Sequence, residues 1–98
     1  MNTIIQTDTF AGWLKSLRDQ TARARIARRI EKMAEGSLGD VRPARDGVHE
    51  ARIDYGPGYR LYFVSTGKTI IVLLCGGDKR TQDKDIRAAI KLAKQLED

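Results

Sequence analysis

Four cations carry the chemistry that can be read from this chain: Arg52, Arg60, Lys79 and Arg80. Arg52 and Arg60 lie in two neighbouring segments that alternate apolar and polar residues, each in the polar set of its segment. Lys79 and Arg80 follow directly where the apolar run TIIVLLC stops at Gly76-Gly77 and the polar stretch DKRTQDKDI begins. An arginine fork donates to phosphate oxygens two at a time and stays charged at any accessible pH. The paired glycines would let backbone approach a ligand without Cβ obstruction. Free N–H groups at the start of the following helix would add to the positive field. The pattern points to a phosphate clamp. The competing reading is an ordinary solvated sheet face of mixed charge, with Glu50 and Asp54 offsetting the two arginines.

Other chemistries find no support. There is no GxxxxGK[ST] and no GxGxxG. One histidine, one cysteine and no carboxylate cluster at ligand spacing argue against a metal site, and no cofactor is expected. A Ser–His–acid arrangement is likewise unsupported. The net charge of +5 and a pI near 9.7 favour a polyanion or an acidic protein as partner. Hydrophobic residues make up 41% of the chain, enough for a two-layer core but without the roughly 18-residue apolar run of a spanning helix. The start MNTIIQTDTF lacks the basic opening and long apolar centre of a secretory signal. The lone Cys75 excludes an internal disulfide and fits a reducing cytosol, so a cytoplasmic location is expected. Set in an apolar run, Cys75 reads as a small buried hydrophobe.

The elements that must position the cations follow from periodicity. Ninety-eight residues are expected to form one domain spanning 1–98. Residues 3–6 (TIIQ) read as a short strand. Thr7 or Asp8 caps a helix whose Phe10, Trp13, Leu14 and Leu17 recur on one stripe. A second helix runs from about Thr21 to Glu35 and ends at Gly36, with Ala22, Ile26, Ile30 and Met33 facing inward. Its other face carries Arg25, Arg28, Arg29 and Lys32, either a solvated face or a basic ridge that touches nucleic acid or an acidic partner. Residues 36–47, with three glycines and a proline, read as a loop.

Strands follow at 47–55 and 59–64, joined by a Gly56-Pro57-Gly58 turn. A turn at Thr66-Gly67 leads to 69–75, apolar on both faces and therefore central. The last helix spans about Gln82–Leu96 with Thr81 as its cap. The expected class is α+β in the order (β)ααβββα: an antiparallel meander packed on a helical hairpin and a C-terminal helix, its Ala51/Ile53/Leu61/Phe63 face on helices and the cations on the other, open face.

The segments GVHEARIDYGPGYRLYF and VLLCGGDKRTQDKDI resemble the bacterial RelE/ParE toxin superfamily, specifically its HigB-like, phage-derived addiction module killer branch. The resemblance covers nearly the whole chain. It implies the toxin of a type II toxin–antitoxin pair, neutralised by a cognate antitoxin, in this branch usually a small helix-turn-helix repressor. RelE-type members enter the ribosome and cut mRNA by attack of a 2′-hydroxyl on its adjacent phosphate. On that resemblance Arg60 takes the place of the GYR arginine, Arg80 that of the arginine in the glycine-lysine-arginine turn, with Lys79 beside it, and Arg52 that of a basic residue on the preceding strand. Fixed cations oppose charge developing on the phosphorane. Two positions depart from RelE proper: Glu50 stands where a second basic residue is found, and Ile86 where a C-terminal tyrosine is found.

Another group must then move protons, since arginine is a poor base. Tyr62, two residues after Arg60 and on its face, is the first candidate. Lys79 is another if neighbouring cations depress its pKa. His49 suits the chemistry but should face the opposite side of the sheet. A ParE-like inhibitor that binds DNA gyrase without cutting nucleic acid shares the fold, and a basic RNA-binding module without activity is a third reading. The general base, codon preference, antitoxin surface and oligomeric state are not legible in the residues.

Overall fold

The structure, a computed structural model, describes residues 1–96. Its elements are β1 (Thr3–Gln6), α1 (Asp8–Ser16), α2 (Gln20–Glu35), β2 (Val41–Pro43), β3 (His49–Ile53), β4 (Tyr59–Thr66), β5 (Ile70–Gly77) and α3 (Gln82–Leu96), with a 3-10 turn at Lys79–Thr81 before the last helix. The fold is α+β, as the periodicity predicts. The strands form one sheet in the order β1-β5-β4-β3-β2. Strands β2 to β5 pair antiparallel, while β1 lies parallel against β5.

Two elements depart from expectation. The 36–47 segment is not all loop, because Val41–Pro43 pairs with His49–Ala51 as a short edge strand. Three residues are too few to show a period, and a proline ordinarily argues against a strand except at an edge such as this one. The second departure matters more. The face expected to be open is covered by α3. Val48, Tyr62, Val72, Leu74, Cys75 and Ala89 are buried together there, with Ile86, Ile90 and Ala93 packed against them. The other face carries α1 and α2: Phe10, Ala22, Ile26 and Met33 pack on Leu61, Phe63 and Leu73. A strand that is apolar on both faces, as β5 is, needs a cover on each side. One helix pair and one lone helix supply it.

Local chemistry explains the helix boundaries. The Thr7 hydroxyl accepts from the Phe10 N–H at 3.0 Å and donates to the Leu74 carbonyl at 2.6 Å, capping α1 and tying it to β5. Asp19 caps α2 by accepting from Thr21 and Ala22 N–H, and also accepts from the Tyr55 hydroxyl at 2.9 Å. These bonds, the Ala22 N–H first, hold its carboxyl below the usual range. Gly36 ends α2 at φ +105°, a left-handed position that glycine adopts without strain. No helix among the described residues is long and apolar enough to cross a membrane.

Candidate active site

The β3–β4 register places Arg52 directly opposite Arg60, and Glu50 opposite Tyr62. All four point to the α3 side of the sheet. At the end of that face, where the helix begins, α3 stops covering it, and there the two arginines reach a concavity of about 300 Å³ lined by Asp40, Arg52, Asp54, Gly58, Arg60 and Lys79. The alternation of the two strands thus brings Arg52 and Arg60 together.

Between them lies Glu50, whose side chain is only 4% exposed. Its carboxylate accepts from the Arg52 terminal nitrogen at 3.2 Å and stands 3.9 Å from the Arg60 Nε. The side-chain amide of Gln82, in the first turn of α3, donates to both Glu50 oxygens at 3.1 Å. The Arg60 Nε is buried and lacks a hydrogen-bond partner, because 3.9 Å is an ion-pair distance and not a hydrogen bond.

Lys79 is brought to the same concavity by the Gly56–Gly58 turn. Its backbone N–H donates to the Pro57 carbonyl at 3.4 Å, and its Cβ lies 3.5 Å from where a Cβ on Gly58 would stand. Lys79 also lines a neighbouring concavity of about 440 Å³ with Arg45, Arg80, Gln82, Asp83 and Ile86. Arg80 therefore belongs to the second hollow; its side chain is 81% exposed and ion-paired with Asp78. Arg45 is a cation that sequence reasoning missed. It bonds Asp83 at 2.9 Å across 38 residues, and nothing in the 36–47 pattern announces that contact.

The family model for Phage derived protein Gp49-like (DUF891) matches residues 12–98. The chain belongs to that family. An uncharacterized protein of Haemophilus influenzae is 47% identical over 90 residues, covering 92% of this chain and 91% of the relative.

In this Gp49-like chain several of these residues are placed differently from expectation. Tyr62 is fully buried under α3, not displayed beside Arg60. Burial, with the Glu50 and Asp85 carboxylates nearby, pushes its phenol pKa far up. Gly76 and Gly77 do not clear space for a ligand: a Cβ on Gly76 would strike the Trp13 ring, and one on Gly77 the Asp85 carboxylate. Nor are the N–H groups before α3 free. Asp78 caps the 3-10 turn Lys79–Thr81 that precedes α3: it accepts from the Arg80 N–H at 2.8 Å, while the Thr81 side chain turns back toward the Asp78 N–H in a capping box.

The basic ridge on α2 is largely consumed. Arg29 donates to the carbonyls of Leu38 (2.8 Å), Arg52 (2.7 Å) and Asp40 (2.8 Å), so it holds the loop after α2 against β3 instead of facing solvent. Arg25 lies over the Tyr55 ring at 4.7 Å, and Arg28 pairs with Glu31. Arg25, Arg28, Arg29 and Lys32 still border a hollow that shares Ile53 and Asp54 with the arginine concavity. His49 faces the α1–α2 side, as the alternation predicts, stacked on Phe63 at 5.7 Å. Cys75 is buried as expected, its thiol pushed up to about 12 by burial and Asp85. No three His, Cys, Asp or Glu side chains among the described residues group as metal ligands would.

Proposed function

We propose that this protein is the toxin of a type II toxin–antitoxin pair and acts as a ribosome-dependent mRNA endonuclease. The observation that carries the reading is the opposed Arg52–Arg60 pair, displayed with Lys79 in one concavity at the end of the sheet. The likeness of the GYR and glycine-lysine-arginine segments to RelE-type toxins supports it. In the reaction the mRNA 2′-oxygen bonds to its own 3′-phosphorus and the bond to the 5′-oxygen of the next nucleotide breaks. Arg60 and Arg52 neutralise the charge that builds on the non-bridging oxygens. Lys79 supplies a proton to the departing 5′-oxygen. RNA is required because DNA lacks the attacking hydroxyl.

With Tyr62 buried, the proton acceptor is sought among groups that line the concavity. Of its two carboxylates, Asp40 is paired with Arg42 at 3.6 Å, whereas Asp54 has no ion-pair partner among the described residues. Asp54 is the candidate base. The cognate antitoxin would be a small DNA-binding repressor, and the ribosome the site of action.

The deciding experiment is mRNA cleavage in a reconstituted translation system, with and without ribosomes, comparing wild type with Arg60→Ala and Asp54→Asn. Ribosome-dependent cleavage that falls at least a hundredfold in Arg60→Ala supports the reading. A protein that arrests growth yet cuts nothing refutes it. That outcome points to the second reading, a ParE-like gyrase inhibitor. The burial of Tyr62 and the neutralising Glu50 between the arginines favour this alternative over other non-nuclease functions.

A further inference from the structure

We infer that Glu50 is a positioning residue: with Gln82 it forms a buried clamp that sets the posture of Arg52 and Arg60 for phosphate. The inference rests on the nuclease reading for its consequence in rate, but the clamp itself is a statement about geometry.

Two guanidinium groups on directly paired residues of neighbouring strands repel each other and, left alone, would splay apart into solvent. A carboxylate on the same face two residues before Arg52 is placed to prevent this. Glu50 engages the arginines by different edges. It meets Arg52 through a single terminal nitrogen and approaches Arg60 only from the Nε side. No hydrogen bond to protein occupies either terminal nitrogen of Arg60 among the described residues, so its two-pronged end is left for a ligand. The Arg60 side chain is nevertheless only 11% exposed, and Arg52 29%, so both are held by their surroundings and do not trail in water.

Glu50 does not stand alone. The Gln82 amide donates to both of its oxygens, so the carboxylate is fixed from the helix side while it fixes the arginines from the sheet side. A buried carboxylate with one cationic partner would be costly; here Arg52 and the Gln82 amide donate to its oxygens, and Arg60 adds a second positive charge at ion-pair distance. An acid at this position therefore serves the pre-organisation of two arginines and makes no phosphate contact of its own. Pre-organised donors act on the transition state more than on the bound ground state.

The test uses the full chain. Glu50→Gln keeps size but removes the charge that restrains the arginines, and Gln82→Ala removes the outer support. On ribosomes each is expected to lower kcat about 10- to 100-fold, the cost of misplacing a catalytic group by about an ångström. KM should stay within about twofold or fall, since Glu50→Gln leaves the concavity more positive. The second readout needs no activity. The buried Nε–H of Arg60 should give a resolved NMR signal with slow water exchange in the wild type, accelerated on the order of tenfold in both variants.

A fall in melting temperature with kcat per folded molecule and Arg60 exchange both unchanged overturns the clamp and leaves Glu50 a structural residue. If Glu50→Gln does not fold, Gln82→Ala decides by the same readouts, since Gln82 lies at the partly exposed start of α3. If wild type cleaves nothing on ribosomes, the nuclease reading has failed, and the exchange measurement alone then upholds or overturns the clamp.

Discussion

Replacing Tyr62 with phenylalanine removes one oxygen atom from a site where the structure gives it nothing to do. The side chain is fully buried between β4 and α3, and its hydroxyl finds no hydrogen-bond partner. A buried hydroxyl without a partner costs about 1–3 kcal/mol relative to water. Phenylalanine fills the same volume, so no cavity offsets the gain. Tyr62→Phe should therefore stabilise the fold by about 1–2 kcal/mol, raising Tm by roughly 4–8 °C per kcal/mol in a domain of this size. A urea titration with unchanged slope and a higher midpoint would confirm that stability, and not compactness, has changed.

The same variant separates two views of the chemistry. As a general base Tyr62 would have to lose its proton, which burial and the carboxylates of Glu50 and Asp85 strongly oppose. Cleavage by Tyr62→Phe should then stay within about threefold of wild type, since no positioned acid–base group, worth about 10²- to 10⁴-fold, has been removed. Destabilisation by about 1 kcal/mol or more would show that the hydroxyl has a partner, such as a water bridging to Glu50. A hundredfold loss of cleavage with stability preserved would refute the reasoning outright and return Tyr62 to the catalytic set.

Three further outcomes follow from particular contacts. Arg29→Met should cost about 2–4 kcal/mol by leaving the Leu38, Asp40 and Arg52 carbonyls short of a donor, whereas Arg28→Glu on the exposed side of the same helix should change urea stability by about 0.5 kcal/mol or less. Cys75, with its thiol near 12, should resist a thiol reagent at pH 8 where only about one molecule in 10⁴ carries thiolate, and its labelling rate should follow global unfolding. Asp19 has a depressed carboxyl pKa in the fold, so its contribution is present above the unfolded value near 4 and lost as pH falls through the lower folded value. Asp19→Asn should accordingly flatten the acid side of a stability–pH curve below about pH 4 and leave the slope near neutrality unchanged.

What could be read from the residues alone was what depends on local period. The alternation of 47–55 and 59–64 assigns the side chains of both strands to a face and so puts Arg52 and Arg60 on the same side of neighbouring strands; the register then sets them directly opposite. What could not be read was which helix covers which face. That choice turns on long-range demands: Val48 and Val64 sit in the polar sets of their strands, Val72 on a strand apolar on both faces, and only the apolar side of α3, with Ile86, Ala89 and Ile90, is free to cover them once α1 and α2 have closed the other side. Once α3 lies there, much else changes meaning. Tyr62 passes from surface to core, and the two glycines ending β5 become clearance for Trp13 and Asp85 instead of a ligand approach. Glu50, which as sequence is a charge of the wrong sign, becomes the group that holds two arginines of the right sign in place. Arg29 shows the same limit from the other side. Its spacing puts it in register with Arg25 and Lys32, yet the loop after α2 folds back and supplies two carbonyls, and β3 a third, to a guanidinium whose planar fork suits them. Periodicity says where a side chain points; what waits for it there is decided by the rest of the chain.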